Sequence, residues 1–335
     1  MIFEMTDIVK IEKSKFFSII PAFTCMLRCK MCYHWKREPN LSEAVTIDKW
    51  KEFLTEVKPF VEKGCQINFA GGETFSHEGI FELIKFSNEN GYASAAVTNA
   101  FLIDSEMAKR VADTGLQRIG ISLDSLDEET HDYLRGIQGS YKLAMQAIRY
   151  LKAFNSGIRI DIQTIILGMN ISGLPELVEW VQSNNDLHLI NLQAISQPFD
   201  MFPDNSWYRK DSGVLWPKDI GIVLEVLDHL IELKEKSYKI GNSVRQLKAF
   251  KAYFENPDIM VKKCNILGNS FEVDYYGNVK FCPMEEIGNI RKQNISDIFR
   301  SDTIGLVSRR IANCHRVCHF GINCFFEAAN IESFQ

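Results

Sequence analysis

The sequence lacks long hydrophobic runs and any excess of positive charge. No apolar stretch among its 335 residues approaches the ~18 residues needed to span a bilayer. The N-terminal segment MIFEMTDIVKIEK mixes charges of both signs and has no apolar centre of the kind found in secretory signals. The formal net charge is -5, which argues against nucleic acid and anionic membranes as partners. These absences predict a cytoplasmic protein.

Cysteine is absent from the middle of the chain, since residues 66–263 contain none. Cys65 stands alone, and the other eight form two groups: Cys25, Cys29 and Cys32, then Cys264, Cys282, Cys314, Cys318 and Cys324. An odd count of nine in a chain without a signal argues against a disulfide framework. Thiols clustered near both ends predict metal sites, whereas Cys65 is predicted to be a small core residue.

The first 200 residues alternate strand-like and helix-like segments. The predicted strands are Phe16–Pro21, Gln66–Ala70, Tyr92–Thr98, Gln117–Leu123, Ile158–Leu167 and Leu187–Ile195. The predicted helices are Thr46–Val61, Glu78–Asn90, Ser105–Thr114, Tyr141–Phe154 and Leu174–Ser183, three of them followed by Gly91, Gly115 or Gly157 as C-caps. This alternation predicts an α/β fold with a parallel sheet built from right-handed crossovers, its strands buried on both faces.

The rhythm changes after the sixth strand. Residues Gln197–Pro217 have no clear period and are predicted to form a long loop at the mouth of the sheet. Helices are predicted at Lys218–Lys236 and near Val244–Glu255, and FEVDYYGNVKFC is typical of a hairpin that turns at Gly277-Asn278.

The cysteines in CMLRCKMCYHW follow directly after the first predicted strand. Ligands of parallel-sheet proteins gather at that end of the strands. Three thiolates can hold three irons of a cuboidal cluster and leave the fourth iron open to a substrate or cofactor. Two alternatives remain at this point: half a zinc site completed by His34, and ordinary core thiols.

The C-x3-C-x2-C spacing resembles that of the radical S-adenosylmethionine (SAM) enzymes. The resemblance implies that the open iron is chelated by SAM, which one electron cleaves to a 5′-deoxyadenosyl radical. It also implies that Met31 lies over the cofactor. A GGE motif follows the second strand as Gly71, Gly72 and Glu73, and the family uses it to hold the amino group of SAM. An ordinary turn is the alternative for this motif taken alone.

Later strand ends carry further positions of the resemblance. Thr98 and Asn99 correspond to the first residues of a TNG motif, with Ala100 in place of glycine. Ser122 and Asp124 correspond to positions that contact the carboxylate or ribose of SAM. Arg135 is predicted to pair with a carboxylate, or to be a solvated arginine at a helix end. Gln163 is predicted to be a cofactor contact, with a hydrogen-bonded core glutamine as the alternative.

The second cysteine group resembles the SPASM domain, or its shorter twitch form. C-x12-G-x4-C from Cys264 to Cys282 fits that signature, and five cysteines imply one auxiliary [4Fe–4S] cluster. The implied ligands are Cys264, Cys282, Cys314 and Cys318, with Cys324 as an alternate ligand or a bystander. A structural zinc site near His315 and His319 is the alternative.

Together these patterns predict a partial (β/α)6 barrel in residues 1–215, a helical linker in 216–262 and a SPASM-like or twitch-like domain in 263–335. The resemblance implies an enzyme that takes a hydrogen atom from a C–H bond and receives its electron from flavodoxin or ferredoxin. The few residues before the first strand favour a small-molecule substrate over a ribosomal peptide or protein. Pocket residues are expected in the long loop, at Asp200, Asp204, Trp207, Arg209 and Trp216, with packing on a lid as the alternative. A non-catalytic zinc or iron–sulfur scaffold and an electron-transfer protein are the rival functions.

Overall fold

The fold is described from a computed structural model. It covers residues 13–154, 157–199, 204, 206–258, 264, 266–314 and 321–323. Asp200, His315, Cys318, His319 and Cys324, which the sequence singles out, lie outside these residues.

Nine strands form one sheet in the order β6-β5-β4-β3-β2-β1-β7-β8-β9. Their bounds are β1 Ser14–Ala22, β2 Val61–Gly71, β3 Ala93–Thr98, β4 Arg118–Ser122, β5 Arg159–Ile166, β6 Leu189–Ala194, β7 Ser270–Val273, β8 Asn278–Cys282 and β9 Glu285–Asn289. The first six strands are parallel neighbours in chain order, and β7 adds to β1 in the same direction. The predicted α/β fold with a parallel sheet is therefore confirmed.

Helices connect the parallel strands and extend into the C-terminal part. Their bounds are α1 Ile47–Glu56, α2 Ile80–Glu89, α3 Ser105–Ala112, α4 Glu128–Arg135, α5 Ser140–Ala153, α6 Leu174–Ser183, α7 Trp207–Lys210, α8 Ile220–Glu235, α9 Val244–Glu255, α10 Ile295–Arg300 and α11 Asp302–Ala312. Thr46 caps α1 by accepting the N–H of Lys49, as helix N-cap residues do. None of the helices in the described part of the chain is long and apolar enough to cross a membrane.

The prediction that the strands are buried on both faces fits β4, which is buried at four of its five residues, but it is wrong for β1 and β2. Along β1, Phe17 and Ile19 are fully buried beneath the helices, while their neighbours Phe16, Ser18 and Ile20 are only half-buried. The same alternation recurs in β2. Since side chains point to opposite faces in turn, one face of the parallel sheet packs on the helices and the other lines an open interior.

The predicted hairpin is confirmed. Strands β7 and β8 pair antiparallel through Glu272 and Lys280, and Gly277 adopts a φ of 83° at the turn between them. A third antiparallel strand, β9, was not expected, nor were α4, α7, α10 and α11. Because β7 joins β1, this C-terminal hairpin extends the same sheet that carries the first cysteine group at the end of β1.

Candidate active site

The three N-terminal cysteines lie on the loop that leaves β1, and all three are partly exposed. Backbone hydrogen bonds fix this loop to the end of α4: the N–H of Arg28 donates to the carbonyl of Arg135 (3.1 Å) and that of Lys30 to Leu134 (2.9 Å). Gly136, which ends α4 with a φ of 73°, leaves room for the loop, since a Cβ there would stand 2.2 Å from the carbonyl oxygen of Arg28. The loop is thus held by backbone contacts rather than by metal ligation alone.

The other side of the loop pairs with the segment that follows β6. Tyr33 donates its N–H to the carbonyl of Phe199 (2.8 Å), and Phe199 donates to that of Met31 (3.2 Å). Met31 is 5% exposed. This short bridge joins the carboxyl ends of the first and sixth strands, which places the start of the long loop at the mouth of the sheet as predicted.

His34 has a role other than the predicted alternative of a zinc ligand. Its ring is buried, its Nε2 lies 2.6 Å from the carbonyl oxygen of Phe23, and it packs on the Phe23 ring with centroids 4.3 Å apart. The buried imidazole therefore stabilises the cysteine loop through its contacts with Phe23.

Two of the three sulfurs have nitrogen donors beside them. The side-chain amide of Asn99 donates to Sγ of Cys25 (3.5 Å), and the Arg135 guanidinium contacts the Cys29 thiol through a hydrogen bond. Burial nonetheless raises the pKa of Cys25 to about 11 and also raises that of Cys29, so both thiols keep their protons at neutral pH without a metal. Soft sulfur ligands with N–H donors aimed at them fit an iron–sulfur cluster, whose binding would displace those protons.

No group of three His, Cys, Asp or Glu side chains within the described ranges could hold a metal ion. Thiolates around one zinc lie about 3.8 Å apart, as follows from tetrahedral Zn–S bonds of about 2.3 Å. The cysteines of a cuboidal cluster bind separate irons, so their fit rests on the spacing and the donors described above.

The glycine pair of the GGE motif meets the backbone of the cysteine loop. A Cβ on Gly71, whose φ is 140°, would stand 2.1 Å from the carbonyl oxygen of Ala22, and one on Gly72 would stand 2.2 Å from that of Phe23. The N–H groups of Gly72 and Glu73 donate to Ala22 (3.1 Å) and Thr24 (2.8 Å). The two glycines therefore permit a close approach between two segments of the chain itself.

The Glu73 carboxylate is 1% exposed and organises the end of β3. It accepts hydrogen bonds from the Thr98 hydroxyl (2.6 Å), the Asn99 N–H (2.8 Å) and the Phe75 N–H (3.3 Å). Burial raises its pKa, and these donors oppose the rise. Ala100, which replaces the glycine of the TNG pattern, adopts a φ of 66° and donates its N–H to the Thr98 hydroxyl. Glu73 thereby sets the turn from which Asn99 reaches Cys25.

Asp124 and Arg135 form a buried ion pair behind the cysteine loop. Asp124 is 0% exposed and accepts the Arg135 Nε–H at 2.7 Å, while its other oxygen accepts the Ile165 N–H at 3.1 Å. Burial alone lowers the pKa of Arg135, but Asp124 and Cys29 raise it above its ordinary value. Arg135 does pair with a carboxylate as predicted, and the alternative of a solvated arginine is wrong.

Ser122 and Gln163 occupy adjacent strands and pair in register on the inner face. Ser122 is buried, whereas Gln163 is half-buried and its side chain lies over Gly120 of β4. A Cβ at Gly120 would stand 2.7 Å from Cγ of Gln163, so the glycine makes room for the glutamine. Both polar side chains therefore belong to the interior surface rather than to the helix-packed core.

The second cysteine group converges in part. Cys282 ends β8. Cys264 lies close enough to both Cys282 and Cys314 for electrostatic interaction. Burial is the largest cause that raises the pKa of Cys264, and the neighbouring Cys282 and Cys314 raise it further. Cys318 and Cys324 lie outside the described residues, so their part in the predicted ligand set stays a prediction.

Among the described pocket residues predicted in the long loop, the two tryptophans are packed and the two charged residues form ion pairs. Trp207 and Trp216 are each 5% exposed and meet edge to face at 5.9 Å, and Trp216 also packs on Tyr253 of α9. Arg209 pairs with Asp258, and Asp204 pairs with Lys210, both near the surface. The lid-packing alternative therefore describes the two tryptophans.

Two buried residues of this region were not predicted from the sequence. His131 accepts the Asp124 N–H through Nδ1 (3.1 Å), and Asn170 donates to the carbonyls of Asp124 and Ile165. Both are buried supports of the Asp124–Arg135 pair. Neither stands in a periodic pattern, and only the general tendency of buried amides to bond backbone groups points to Asn170.

Comparison with known proteins matches two segments of the chain to known domains. Residues 19–181 match the sequence model of the Radical SAM superfamily, and residues 264–324 match that of SPASM, an iron–sulfur cluster-binding domain. The chain is 32% identical to the AdoMet-dependent heme synthase of Nitratidesulfovibrio vulgaris over 155 residues, 46% of this chain and 41% of that enzyme. It is 23% identical to the PqqA peptide cyclase of Bradyrhizobium diazoefficiens over 194 residues, 58% of this chain and 48% of that enzyme. Each match thus spans less than half of the relative.

Solved structures share the fold. Streptococcus suis SuiB superposes with a TM-score of 0.64 at 18% identity, over 89% of this chain and 68% of SuiB. Native anSMEcpe with bound AdoMet gives 0.64 at 17% identity, over 89% and 84% of the two chains. The predicted cofactor classes, SAM and iron–sulfur clusters, agree with both matched domains. The chain thus carries a radical SAM domain followed by a SPASM domain.

Proposed function

We propose that the chain is a radical SAM enzyme in which Cys25, Cys29 and Cys32 hold a [4Fe–4S] cluster. Cluster and SAM, when bound, supply the one-electron cleavage that yields a 5′-deoxyadenosyl radical, which takes a hydrogen atom from an unactivated C–H bond of the substrate. The observation that carries the proposal is the cysteine loop at the carboxyl end of β1, with Asn99 and Arg135 donating to two of its sulfurs. An ordinary set of core thiols needs no such donors.

The surrounding residues position SAM. The strand-end backbone at Gly71 and Gly72, together with the Glu73 carboxylate, offers acceptors for an ammonium group close to Cys25. Ser122 and Gln163 offer hydroxyl and amide groups on the inner face for a carboxylate or ribose. Asp124 holds Arg135 beside Cys29, and this positive charge favours thiolate there. Met31, buried beneath the loop, provides apolar contact.

An auxiliary [4Fe–4S] cluster in the SPASM domain is part of the proposal. Its ligands are Cys264, Cys282, Cys314 and Cys318, with Cys324 as the alternate ligand. Support comes from the SPASM match and from the proximity of Cys264 to both Cys282 and Cys314. These cysteines would hold the cluster, which when bound would supply an electron acceptor, a substrate-binding iron or an electron relay.

The proposed substrate is a small molecule that enters the barrel at the mouth. The half-buried inner face, with polar side chains such as Asn68, Gln163 and Asn191, suits a compact hydrogen-bonding molecule. A ribosomal peptide or protein is the second candidate. It is favoured by the relatives named for peptides, PqqA peptide cyclase and SuiB bound to precursor peptide SuiA. Heme synthases among the relatives favour the first candidate.

An external one-electron donor, flavodoxin or ferredoxin, completes the proposal. Residues 25–37 carry Arg28, Lys30, Lys36 and Arg37 and no acidic residue, in a chain whose net charge is -5. All four cations are exposed, and three lie over aromatic rings: Arg28 over Trp35, Lys36 over Tyr33 and Lys30 over Tyr133. We call these four side chains the cationic rim. An acidic redox protein fits this surface electrostatically.

Anaerobic turnover of SAM tests the proposal. The reconstituted protein is incubated with dithionite and SAM without substrate, and 5′-deoxyadenosine is quantified. We expect release from the wild type and no release from Cys25→Ala, Cys29→Ala or Cys32→Ala. Cys65→Ala is the matched control, because Cys65 is buried in the core at the start of the β2 pairing with β1, and it should keep cluster and activity. No cleavage by the fully reconstituted wild type would favour the scaffold or electron-transfer rivals.

A further inference from the structure

Strand β6 is the edge of the parallel sheet, yet its outward peptide groups are paired at three alternate residues. Ile190 exchanges backbone hydrogen bonds with the segment after α8, donating to Lys239 (2.8 Å) and accepting from Gly241 (2.7 Å). Leu192 and Ala194 come next along the same edge, and each is paired by a single asparagine side chain. The edge is therefore closed by two separate parts of the chain, residues 239–242 and Asn323.

The two asparagines make the same bidentate contact. Asn242 accepts the Leu192 N–H (2.8 Å) and donates to the Leu192 carbonyl (2.8 Å). Asn323 accepts the Ala194 N–H (2.9 Å) and donates to the Ala194 carbonyl (2.7 Å). A carboxamide has one acceptor and one donor side by side, so it substitutes for the backbone of a missing neighbouring strand. Each contact satisfies two backbone groups that would otherwise face the sheet edge alone.

Asn323 differs from Asn242 in where its chain segment comes from. It lies 129 positions after Ala194, within the sequence CHFGINC that contains Cys318 and Cys324. Its neighbour Ile322 is 1% exposed and belongs to the main core. A three-residue segment between two cysteines is thus docked on the parallel sheet by a buried side chain and by a two-bond amide contact. Ala194 is the last residue of β6, so this docking point lies at the carboxyl end of the strand, on the side of the mouth.

We propose that Asn323 is a positioning residue for the auxiliary cluster, holding residues 321–323, which stand between Cys318 and Cys324 in the sequence, against the carboxyl end of β6. The inference rests on the auxiliary cluster of the proposed function and adds the contact that fixes residues 321–323 on the barrel. Asn242, which closes the same edge without adjoining cysteines, serves the stability of the barrel alone.

Iron content of two matched variants tests this assignment. Asn323→Ala and Asn242→Ala each remove one bidentate contact from the same edge, so both should lower the melting temperature of the anaerobically reconstituted protein. We expect the iron and sulfide content of Asn323→Ala to fall from about eight to about four of each per chain, which is the content of one remaining [4Fe–4S] cluster. Asn242→Ala should keep about eight. The Mössbauer and EPR signals of the auxiliary cluster should weaken only in Asn323→Ala, and release of 5′-deoxyadenosine without substrate should persist in both.

Two outcomes would overturn the role of Asn323. One is a full iron content with an unchanged auxiliary signal in Asn323→Ala. The other is an equal loss of iron in both variants, which would show that general destabilisation of the edge, rather than placement of the ligand segment, governs cluster loading. A wild type with only about four irons would instead refute the auxiliary cluster itself, before either variant is compared.

Discussion

At the scale of single residues, the tightest constraint around the site is the lack of side chains at Gly71 and Gly72. The backbone of the second strand end crosses that of the cysteine loop so closely that any Cβ would collide with carbonyl oxygens. The glycines therefore act on the loop that bears the sulfurs, through the N–H groups of Gly72 and Glu73 that reach Ala22 and Thr24. Their contribution to cofactor binding follows from the loop shape they permit.

Gly72→Ala should consequently impair cluster binding by displacing the loop. The new Cβ would lie 2.2 Å from the Phe23 carbonyl oxygen and 2.6 Å from that of Thr24, and both are backbone atoms that cannot rotate away. We expect a loss of stability of about 1–3 kcal/mol or more, with reduced iron in the N-terminal site. Thermal unfolding and iron analysis of the reconstituted protein measure the two effects.

Gly173→Ala provides the comparison for that substitution. Gly173 has an ordinary negative φ of -90° and nothing within 4 Å of the position its Cβ would take. This variant should keep its iron and lose about 1 kcal/mol or less, since Ala is a poorer N-cap of α6 than Gly but meets no steric conflict here. Normal iron content in Gly72→Ala would show that the loop adjusts without cost to the site.

At the scale of elements, α4 connects the fourth strand end to the cysteine loop. Asp124 follows β4, Arg135 ends α4, and their ion pair spans the connection from within the protein. The backbone at the end of α4 also accepts the N–H groups of Arg28 and Lys30. Strand end, helix and loop therefore form one unit, with Arg135 as its shared residue.

A double-mutant cycle should reveal this coupling. Asp124→Asn and Arg135→Met each leave one buried partner uncompensated, which costs about 3–5 kcal/mol of unfolding free energy. The double variant should lose less unfolding free energy than the two single variants together, by roughly 0.5–3 kcal/mol, because neither charge then remains alone. Anaerobic denaturant unfolding of all four proteins supplies the measurement.

The exposed pair of Lys210 and Asp204 serves as its control. The Lys210 side chain is 74% exposed, and Lys210→Met should change the unfolding free energy by no more than about 1 kcal/mol. Additive losses for Asp124→Asn and Arg135→Met would mean that the two residues stabilise the protein independently, contrary to the contact described.

How far the elements follow from sequence depends on their periodicity. Five of the six parallel strands and the helices α6 and α9 lie within two residues of the predicted bounds, because alternating apolar segments separated by glycines mark them clearly. Strand β2 begins at Val61, five residues before the predicted start, and the predicted helix Thr46–Val61 ends at Glu56. Helix α4, EETHDYLR, was not predicted because its eight residues are largely charged, and its Asp127 cap and buried contacts decide its formation. The cysteine and GGE motifs located the site, but the Asp124–Arg135 pair and the amide contacts of Asn323 depend on distant segments that no local pattern reveals.

At the scale of the whole molecule, both cysteine groups are built on one continuous sheet. Strand β1 ends in the first cysteine loop and pairs on its other side with β7, whose hairpin partner β8 ends at Cys282. The β6 edge receives the segment before Cys324 in the sequence. The SPASM region is thus attached to the barrel strands at two separate places, and not only through the connecting helices.

The cationic rim is a local positive surface on an otherwise acidic chain, and it would attract an acidic redox partner. The chain without residues 25–37 has a net charge of -9, since -5 minus +4 is -9. Local attraction at the cluster loop combined with repulsion elsewhere directs an acidic donor to the loop, and such steering raises association rates by roughly 10–10³-fold at low salt. Electron entry is therefore expected beside Cys25, Cys29 and Cys32 rather than through the SPASM domain.

The double variant Lys30→Glu/Lys36→Glu should slow reduction by a protein donor without affecting the site itself. We expect the second-order rate of cluster reduction by flavodoxin hydroquinone to fall at least about tenfold at low ionic strength, and the difference to shrink as salt screens the charges. Reduction by dithionite should stay within about twofold, since a small reductant needs no docking surface. Lys85→Glu/Lys248→Glu changes the net charge equally at exposed positions of α2 and α9, and separates local from global electrostatics. Equal slowing in both double variants would place the donor elsewhere, because only the total charge would then matter.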